Sequence, residues 1–351
     1  MFDLNEKLRG LAAYQPVEGA GCIRLDANES FLPLPKEIRA AFRQALGDLE
    51  YNRYPDPAAR ELCGAFARYY GVDPQSVVAG NGSDELISVI FQGFLMKGEA
   101  FATVDPDFSM YAQAGALAEA RHVSIGKKDY RIDPEEVIEA CRREEVKLLI
   151  FSNPCNPTSL VLDRAAVRHI VRSVEALVVL DEAYMDFSDQ SLLGEVSEYG
   201  NLIILRTCSK AIGMAAARLG FAVAGPRLAE ALRAAKSPYN VNGMSQALGA
   251  AALSRGGLLR QALAQVLASR DQLLAGLRAV DQALPGRFRV LPSGANFAAL
   301  VLPQARRVQE TLLERGVAVR FTGGLLRVTC GRPEENRRFL QEFQKILEEL
   351  T

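Results

Sequence analysis

Lysine is scarce in this chain, nine against 32 arginines, and Lys210 stands in the stretch Thr207-Cys208-Ser209-Lys210-Ala211-Ile212-Gly213, with Arg218 eight residues on. Its neighbours are small and uncharged, so an ammonium there is poorly solvated. Desolvation lowers an amine's pKa and suits it to Schiff-base chemistry, although an ordinary loop lysine would fit the same stretch. Asp181 and Glu182 close the apolar run Val178-Val179-Leu180. Ligands of open α/β sheets bind at the carboxyl ends of strands, so a carboxylate there is either functional or a helix cap. Asn153-Pro154-Cys155-Asn156-Pro157-Thr158 follows another apolar run and makes a rigid turn able to aim Asn156 at a ligand. Ala79-Gly80-Asn81-Gly82-Ser83-Asp84-Glu85 sets glycines ahead of an amphipathic stretch, the arrangement by which amides at a helix N-terminus take a phosphate. It has neither the GxGxxG nor the GxxxxGK[ST] form, so dinucleotide and P-loop readings lose support.

These segments need a scaffold that gathers them. Short β-branched runs at 77–79, 100–104, 122–125, 148–152, 177–180, 202–205 and 221–224 alternate with helical periodicity, as at 83–96 and 133–142. That rhythm predicts an α/β fold in which a mainly parallel sheet lies between helices, with the four segments at strand ends. Beyond residue 242 come helical stretches at 244–253 and 257–280, the second long enough to connect two domains. Runs at 288–291, 296–301, 317–321 and 325–329, with helices at 306–314 and 333–350, predict a smaller α+β domain. The expected division is an N-terminal segment 1–45 belonging with the small domain, a large domain 46–250 and a small domain 251–351, packed around a cleft.

Composition narrows the function classes. At 351 residues, 49% apolar and 24% charged, the chain has the make-up of two folded domains, not of a disordered or fibrous protein. A formal charge of −1 gives no field to draw nucleic acid or an anionic membrane. No apolar run reaches membrane-spanning length and no signal-peptide pattern opens the chain, while six dispersed cysteines without a CxxC pair predict reduced thiols; the expected location is the cytoplasm. Two glycosylation sequons, at 28–30 and 81–83, are then chance matches. The only histidines, His122 and His169, lack ligand-like spacing, so no metal is expected, and the absence of GxSxG removes a serine hydrolase.

Taken in order, a phosphate cradle, an amide, a carboxylate and a lysine resemble the constellation of fold-type I pyridoxal-phosphate aminotransferases of the class II group, with the histidinol-phosphate aminotransferase family as the nearest pattern. Further stretches carry the resemblance: Leu25-Asp26-Ala27-Asn28-Glu29-Ser30, Tyr54-Pro55-Asp56, Pro106-Asp107-Phe108-Ser109-Met110-Tyr111, Pro238-Tyr239-Asn240-Val241-Asn242 and Leu326-Arg327-Val328-Thr329. It extends over residues 20–340.

The resemblance implies the cofactor pyridoxal 5'-phosphate, held covalently by Lys210, which would also shuttle the substrate proton. Asp181 would face the pyridine nitrogen, Asn156 and Tyr184 the ring hydroxyl, and Phe108 the ring plane. Ser209, Arg218 and the amides around Ser83 and Asp84 would hold the phosphate. Tyr54 would reach the phosphate of a partner chain, which implies a homodimer with a shared active site. Arg327 would take the carboxylate of glutamate or 2-oxoglutarate and the phosphate of histidinol phosphate, with Arg320 as a second phosphate-binding arginine. The family's reaction moves an amino group between histidinol phosphate and 2-oxoglutarate, a step of histidine biosynthesis. Ser159, where the family usually has glycine, and Ala216-Ala217, where it has a glycine-containing pair, depart from the pattern. An aromatic amino-acid aminotransferase and, further off, a decarboxylase of a phosphorylated amino acid share the scaffold. A non-catalytic protein on this fold would need a lost lysine or a DNA-binding extension, and the sequence has neither.

Overall fold

Every β-branched run named above becomes a strand. The computed structural model describes residues 2–11, 13 and 21–350. Its strands, in chain order, are β1 (Ile23–Arg24), β2 (Val77–Gly80), β3 (Ala100–Asp105), β4 (Arg121–Gly126), β5 (Leu148–Ser152), β6 (Leu177–Asp181), β7 (Leu202–Thr207), β8 (Gly220–Ala224), β9 (Arg289–Val290), β10 (Phe297–Val301), β11 (Val317–Ala318), β12 (Arg320–Thr322) and β13 (Leu325–Thr329).

Seven of them form one sheet in the order β2-β8-β7-β6-β5-β3-β4. From β7 to β4 all neighbours run parallel, and only β8 runs antiparallel to both strands beside it. Its central strands β5 and β7 are buried throughout, as their continuous apolar runs require, whereas β4 at the edge is largely exposed. Helices cover both faces. Leu149, Val178 and Ile204 point into one apolar core, and their strand neighbours Ile150, Val179 and Ile203 into the other, the period-2 alternation of a two-sided sheet.

The second assembly is an antiparallel sheet, β12-β13-β10-β9, with a core built on Phe297, Leu326, Phe339 and Phe343. The helix Gly256–Ala283 joins the two: its Leu259 sits in the first sheet's core and its Leu273, Leu277 and Val280 in the second. At 28 residues it spans about 42 Å.

One predicted strand, 317–321, is in fact two. The chain pairs through β11 with β1 in parallel, turns at Val319, and pairs through β12 with β13 in antiparallel fashion. Near the N-terminus, Leu25 beyond β1 joins the core of the four-stranded sheet, while Ile38, on the helix Lys36–Gly47, packs in the core of the large sheet. Of segment 1–45, residues 1, 12 and 14–20 lie outside the described residues.

Candidate active site

The carboxyl ends of β2, β5, β6 and β7 lie on one edge of the large sheet, and each delivers one of the segments singled out in the sequence. After β7, the Thr207 hydroxyl accepts from the Ser209 amide at 3.1 Å, and the Gly213 amide closes back on the Lys210 carbonyl at 3.1 Å. This tight turn presents the half-buried Lys210. Its Nζ donates to the Ala27 carbonyl at 3.0 Å and lies 5.9 Å from the centre of the Tyr184 ring. Among the described residues this ammonium is in no ion pair.

Asp181, the last residue of β6, is buried. Its Oδ2 accepts from the Tyr111 hydroxyl at 2.7 Å and its Oδ1 from the Ala183 amide at 3.0 Å. Burial pushes the carboxyl up to about 6, against the pull of those two hydrogen bonds, while the Asp107 and Asp84 carboxylates add to the rise. Tyr184 follows three residues on, and its hydroxyl accepts from Asn28 Nδ2 at 2.9 Å. Asn28 is held in the left-handed region at φ 54°, its Oδ1 accepting from the Thr329 hydroxyl at 3.0 Å and its carbonyl from Asn296 Nδ2 at 3.1 Å.

Past β5, the Asn156 amide N–H donates to the Ser152 hydroxyl at 3.1 Å, and Asn156 Oδ1 accepts from Arg327 Nη1 at 2.6 Å. Arg327 Nη2 reaches the Asp26 carbonyl at 2.5 Å. Arg320 stands directly across from Arg327 in the β12–β13 register, so both side chains leave the same face of the sheet. The tight turn Gly323-Gly324 joins the two strands and is what pairs the arginines. Phe108, half-buried after β3, meets the Tyr111 ring edge-on at 5.6 Å.

At the end of β2, Gly82 (φ 85°) precedes the helix Ser83–Phe94. A Cβ on Gly82 would come 2.6 Å from Arg218 Nη2, so glycine is what lets the guanidinium lie against this helix N-terminus. Arg218 donates to Asp84 Oδ2 at 3.0 Å and to the Ser209 hydroxyl at 3.5 Å. Ser83, Asp84, Ser209 and Arg218 thus converge. Tyr54 does not join them: it is 82% exposed, and its ring stacks on Tyr239 at 4.6 Å.

Ser159 has φ 60° and is buried, its hydroxyl donating to the Pro292 carbonyl at 3.1 Å. The left-handed backbone accounts for glycine being the usual residue of the pattern at this place. Reading the sequence missed Tyr111, Asn28 and Thr329 as contributors, although all three stand in the stretches quoted above. Tyr111 falls one helical turn after Phe108, the one local hint that the two aromatic rings meet.

This donor set fits pyridoxal phosphate on the structure's own evidence. A buried carboxyl raised to about 6 matches the basicity of a pyridine nitrogen, an aromatic ring and an amide flank the place for a flat heterocycle, and a guanidinium beside a helix N-terminus suits a phosphate. The amine of Lys210, without a carboxylate partner among the described residues, suits a carbonyl carbon.

The family model for aminotransferase class I and II matches residues 20–343. The chain is 39% identical over 321 residues to a histidinol-phosphate aminotransferase of Clostridium novyi, covering 90% of this chain and 88% of the relative. It is 34% identical to that of Thermoanaerobacter pseudethanolicus, covering 98% of each. Among solved structures, histidinol-phosphate aminotransferase from Sinorhizobium meliloti, in complex with pyridoxal-5'-phosphate, superposes with a TM-score of 0.89 at 25% identity, covering 99% of this chain and 98% of the other.

Proposed function

The chain belongs to the class I and II aminotransferases, and from that premise we propose that it is a pyridoxal-phosphate-dependent transaminase acting on histidinol phosphate and 2-oxoglutarate. The observation that carries the choice of substrate within the family is the Arg320–Arg327 pair across one sheet register. A phosphomonoester gains more than a carboxylate from a second guanidinium, and the relatives quoted above act on such a substrate by name.

Bound pyridoxal phosphate supplies an electron sink for the pair left when the donor's α-proton departs. Lys210 would anchor it through its Nζ, and the same amine would serve as the base that carries the donor's α-proton. Asp181 holds a proton at the ring nitrogen. Asn156 and Tyr184 fix the ring in its plane through the ring hydroxyl, and Phe108 closes one face against water. Arg218, Ser209 and the amide of Ser83 take the phosphate, with Asp84 orienting the guanidinium. Arg327 orients the carboxylate of glutamate and, with Arg320, the phosphate of the other donor.

Tyr54, exposed on one chain, completes the phosphate site of a partner, so the active form is a homodimer. The larger domain 46–250, with the helix Lys36–Gly47 packed in its core, supplies the cofactor contacts, and the smaller one, 251–351 with β1 and Leu25, the substrate arginines. Among the described residues no helix is long and apolar enough to cross a membrane, and all six cysteines are free, which supports a cytoplasmic location.

Two measurements test the reading. Borohydride reduction of the yellow holoprotein followed by peptide mapping places the pyridoxyl group on Lys210; a label elsewhere refutes the anchor. Single-turnover assays with histidinol phosphate, glutamate, phenylalanine and tyrosine then rank the donors, and efficient use of the aromatic amino acids without histidinol phosphate moves the chain to the aromatic group. For the dimer, mixing Lys210→Ala chains with Tyr54→Ala chains restores activity only if Tyr54 acts in trans, because one heterodimer site then carries neither lesion.

A further inference from the structure

A lysine and an aspartate with side chains 1% and 0% exposed lie under the site and take no part in the reaction drawn above. Lys127 follows β4, Asp107 follows β3, and Cys155 follows β5; β3 lies between the other two strands, so the three ends are side by side. The Lys127 ammonium donates to the Pro106 carbonyl at 2.7 Å and to Cys155 Sγ at 3.1 Å, and stands 3.9 Å from Asp107 Oδ2. The Asp107 carboxylate also accepts from the Ser152 amide at 3.0 Å, from the Ser152 hydroxyl, and from the Phe108 amide at 2.8 Å. That same Ser152 hydroxyl accepts from the Asn156 amide. One buried charge pair therefore binds the loop that carries Phe108 to the loop that carries Asn156.

Stability does not explain such a pair. Taking both charges out of water is costly, and apolar residues of the same volume often serve as well or better. What a buried ion pair adds is fixed geometry and a fixed field. We propose that Lys127 is a positioning residue of the cofactor site: its ammonium locks the Phe108 and Asn156 loops together and balances the Asp107 charge that lies behind Asp181. The ionisable groups around it are Asp105 and Asp107 from the end of β3, Cys155 after β5, Asp181 on β6 and Tyr111 on the helix Met110–Leu117, and the field of Asp107 is felt at both Asp181 and Tyr111. The inference rests on the proposed reading of Phe108 and Asn156 as cofactor contacts.

The test uses the full chain and pyridoxal phosphate itself. Lys127→Met keeps the unbranched stem, one atom shorter, and removes the charge. The expected result is a dissociation constant for the cofactor raised about tenfold or more, and a weaker visible circular dichroism per bound cofactor. The pH midpoint of the visible absorption band should also rise, since loss of a positive charge favours the protonated form of every group nearby. In Asp107→Asn/Lys127→Met, where no charge is left unpaired, the midpoint returns toward the wild-type value while the affinity stays low. Wild-type affinity and dichroism in Lys127→Met overturn the proposal, and so does an unmoved midpoint, which would make the lysine mere packing. If Lys127→Met does not fold, the double variant decides: lowered affinity and dichroism support the lock, and wild-type values refute it. Asn156→Ala run alongside keeps the two readings apart. No effect there refutes the contact itself, whereas an effect there with none in the Lys127 variants refutes only this inference.

Discussion

At one end of the site Asp181 and Tyr111 are sealed in the interior and joined by a 2.7 Å hydrogen bond; at the other, Arg218 and Asp84 are joined at 3.0 Å with side chains 43% and 47% exposed. The contacts are nearly the same length, yet their surroundings give them different worth. Water and salt screen the exposed pair, so its contribution is at most about 1 kcal/mol. In the interior nothing screens Asp181, and its proton affinity is free to be set by burial, by Tyr111 and by neighbouring charges. On the proposed reading, the buried end controls the ring electronically and the exposed end captures an anion arriving from solvent.

Asp181→Asn strikes the buried end hardest. Transamination is expected to fall on the order of 10²–10³-fold, the scale for losing one preorganised electrostatic group, with cofactor binding changed far less; near-wild-type turnover would break the comparison. The same variant has a second, opposite signature in the apoprotein. Because the folded carboxyl is raised from 3.8 to about 6, the folded state between those pH values holds a proton that the unfolded chain has released, and above them it must bury a charge that the unfolded chain exposes. Ionised Asp181 therefore destabilises the apoprotein by roughly 3 kcal/mol at neutral pH. Relative to wild type, Asp181→Asn should gain most in denaturant melts at pH 7, and the gain should fade as pH drops through 6 toward 3.8.

Arg320→Ala is expected to raise KM for histidinol phosphate about tenfold to a hundredfold, the worth of one charge-assisted hydrogen bond, and to affect glutamate little. Equal losses for both donors would remove its phosphate role. Tyr111→Phe removes a donor that favours the ionised Asp181, so the acid limb of the kcat/KM profile should move to higher pH by about one to two pH units; an unmoved limb would mean that Tyr111 does not tune this carboxyl. Smallest of all, Asp84→Asn should tighten the cofactor's phosphate site by less than about fivefold, and only at low salt. A large or salt-independent effect would show the two ends to be less different than their exposure implies.

What the sequence made legible follows from the same contrast in environment. Strands buried on both faces leave continuous apolar runs, so six of the seven strands and the residues at their ends could be read directly, and only the edge strand β4 is largely exposed. The break at Val319 could not, because Val317, Val319 and Phe321 continue one apolar alternation while their partners belong to two different sheets. Tyr111 and Lys127 escaped for a related reason. Their roles depend on β3 lying between β4 and β5 and on β5 lying beside β6, and strand order is set by long-range packing that no local spacing encodes. Tyr54 was legible as a motif, while its exposed position on a single chain is a property of three-dimensional structure.

The pairing of β1 with β11 bears on how the protein is made. Ile23 opposes Val317, and the Leu25 amide closes onto the Ala318 carbonyl, so the start of the chain waits for a partner about 300 residues downstream. Ala27 and Asn28, which contact Lys210 and Tyr184, sit just beyond that junction. On the ribosome, at about 5–20 residues per second, the interval is roughly 15–60 s. Over about its last third, once β8 has been made, the seven strands of the large sheet can already be in place while the wall over the lysine is missing. A nascent chain stopped before residue 317 would therefore fold the sheet that carries the proposed cofactor contacts but leave the wall over the lysine and both substrate arginines unmade.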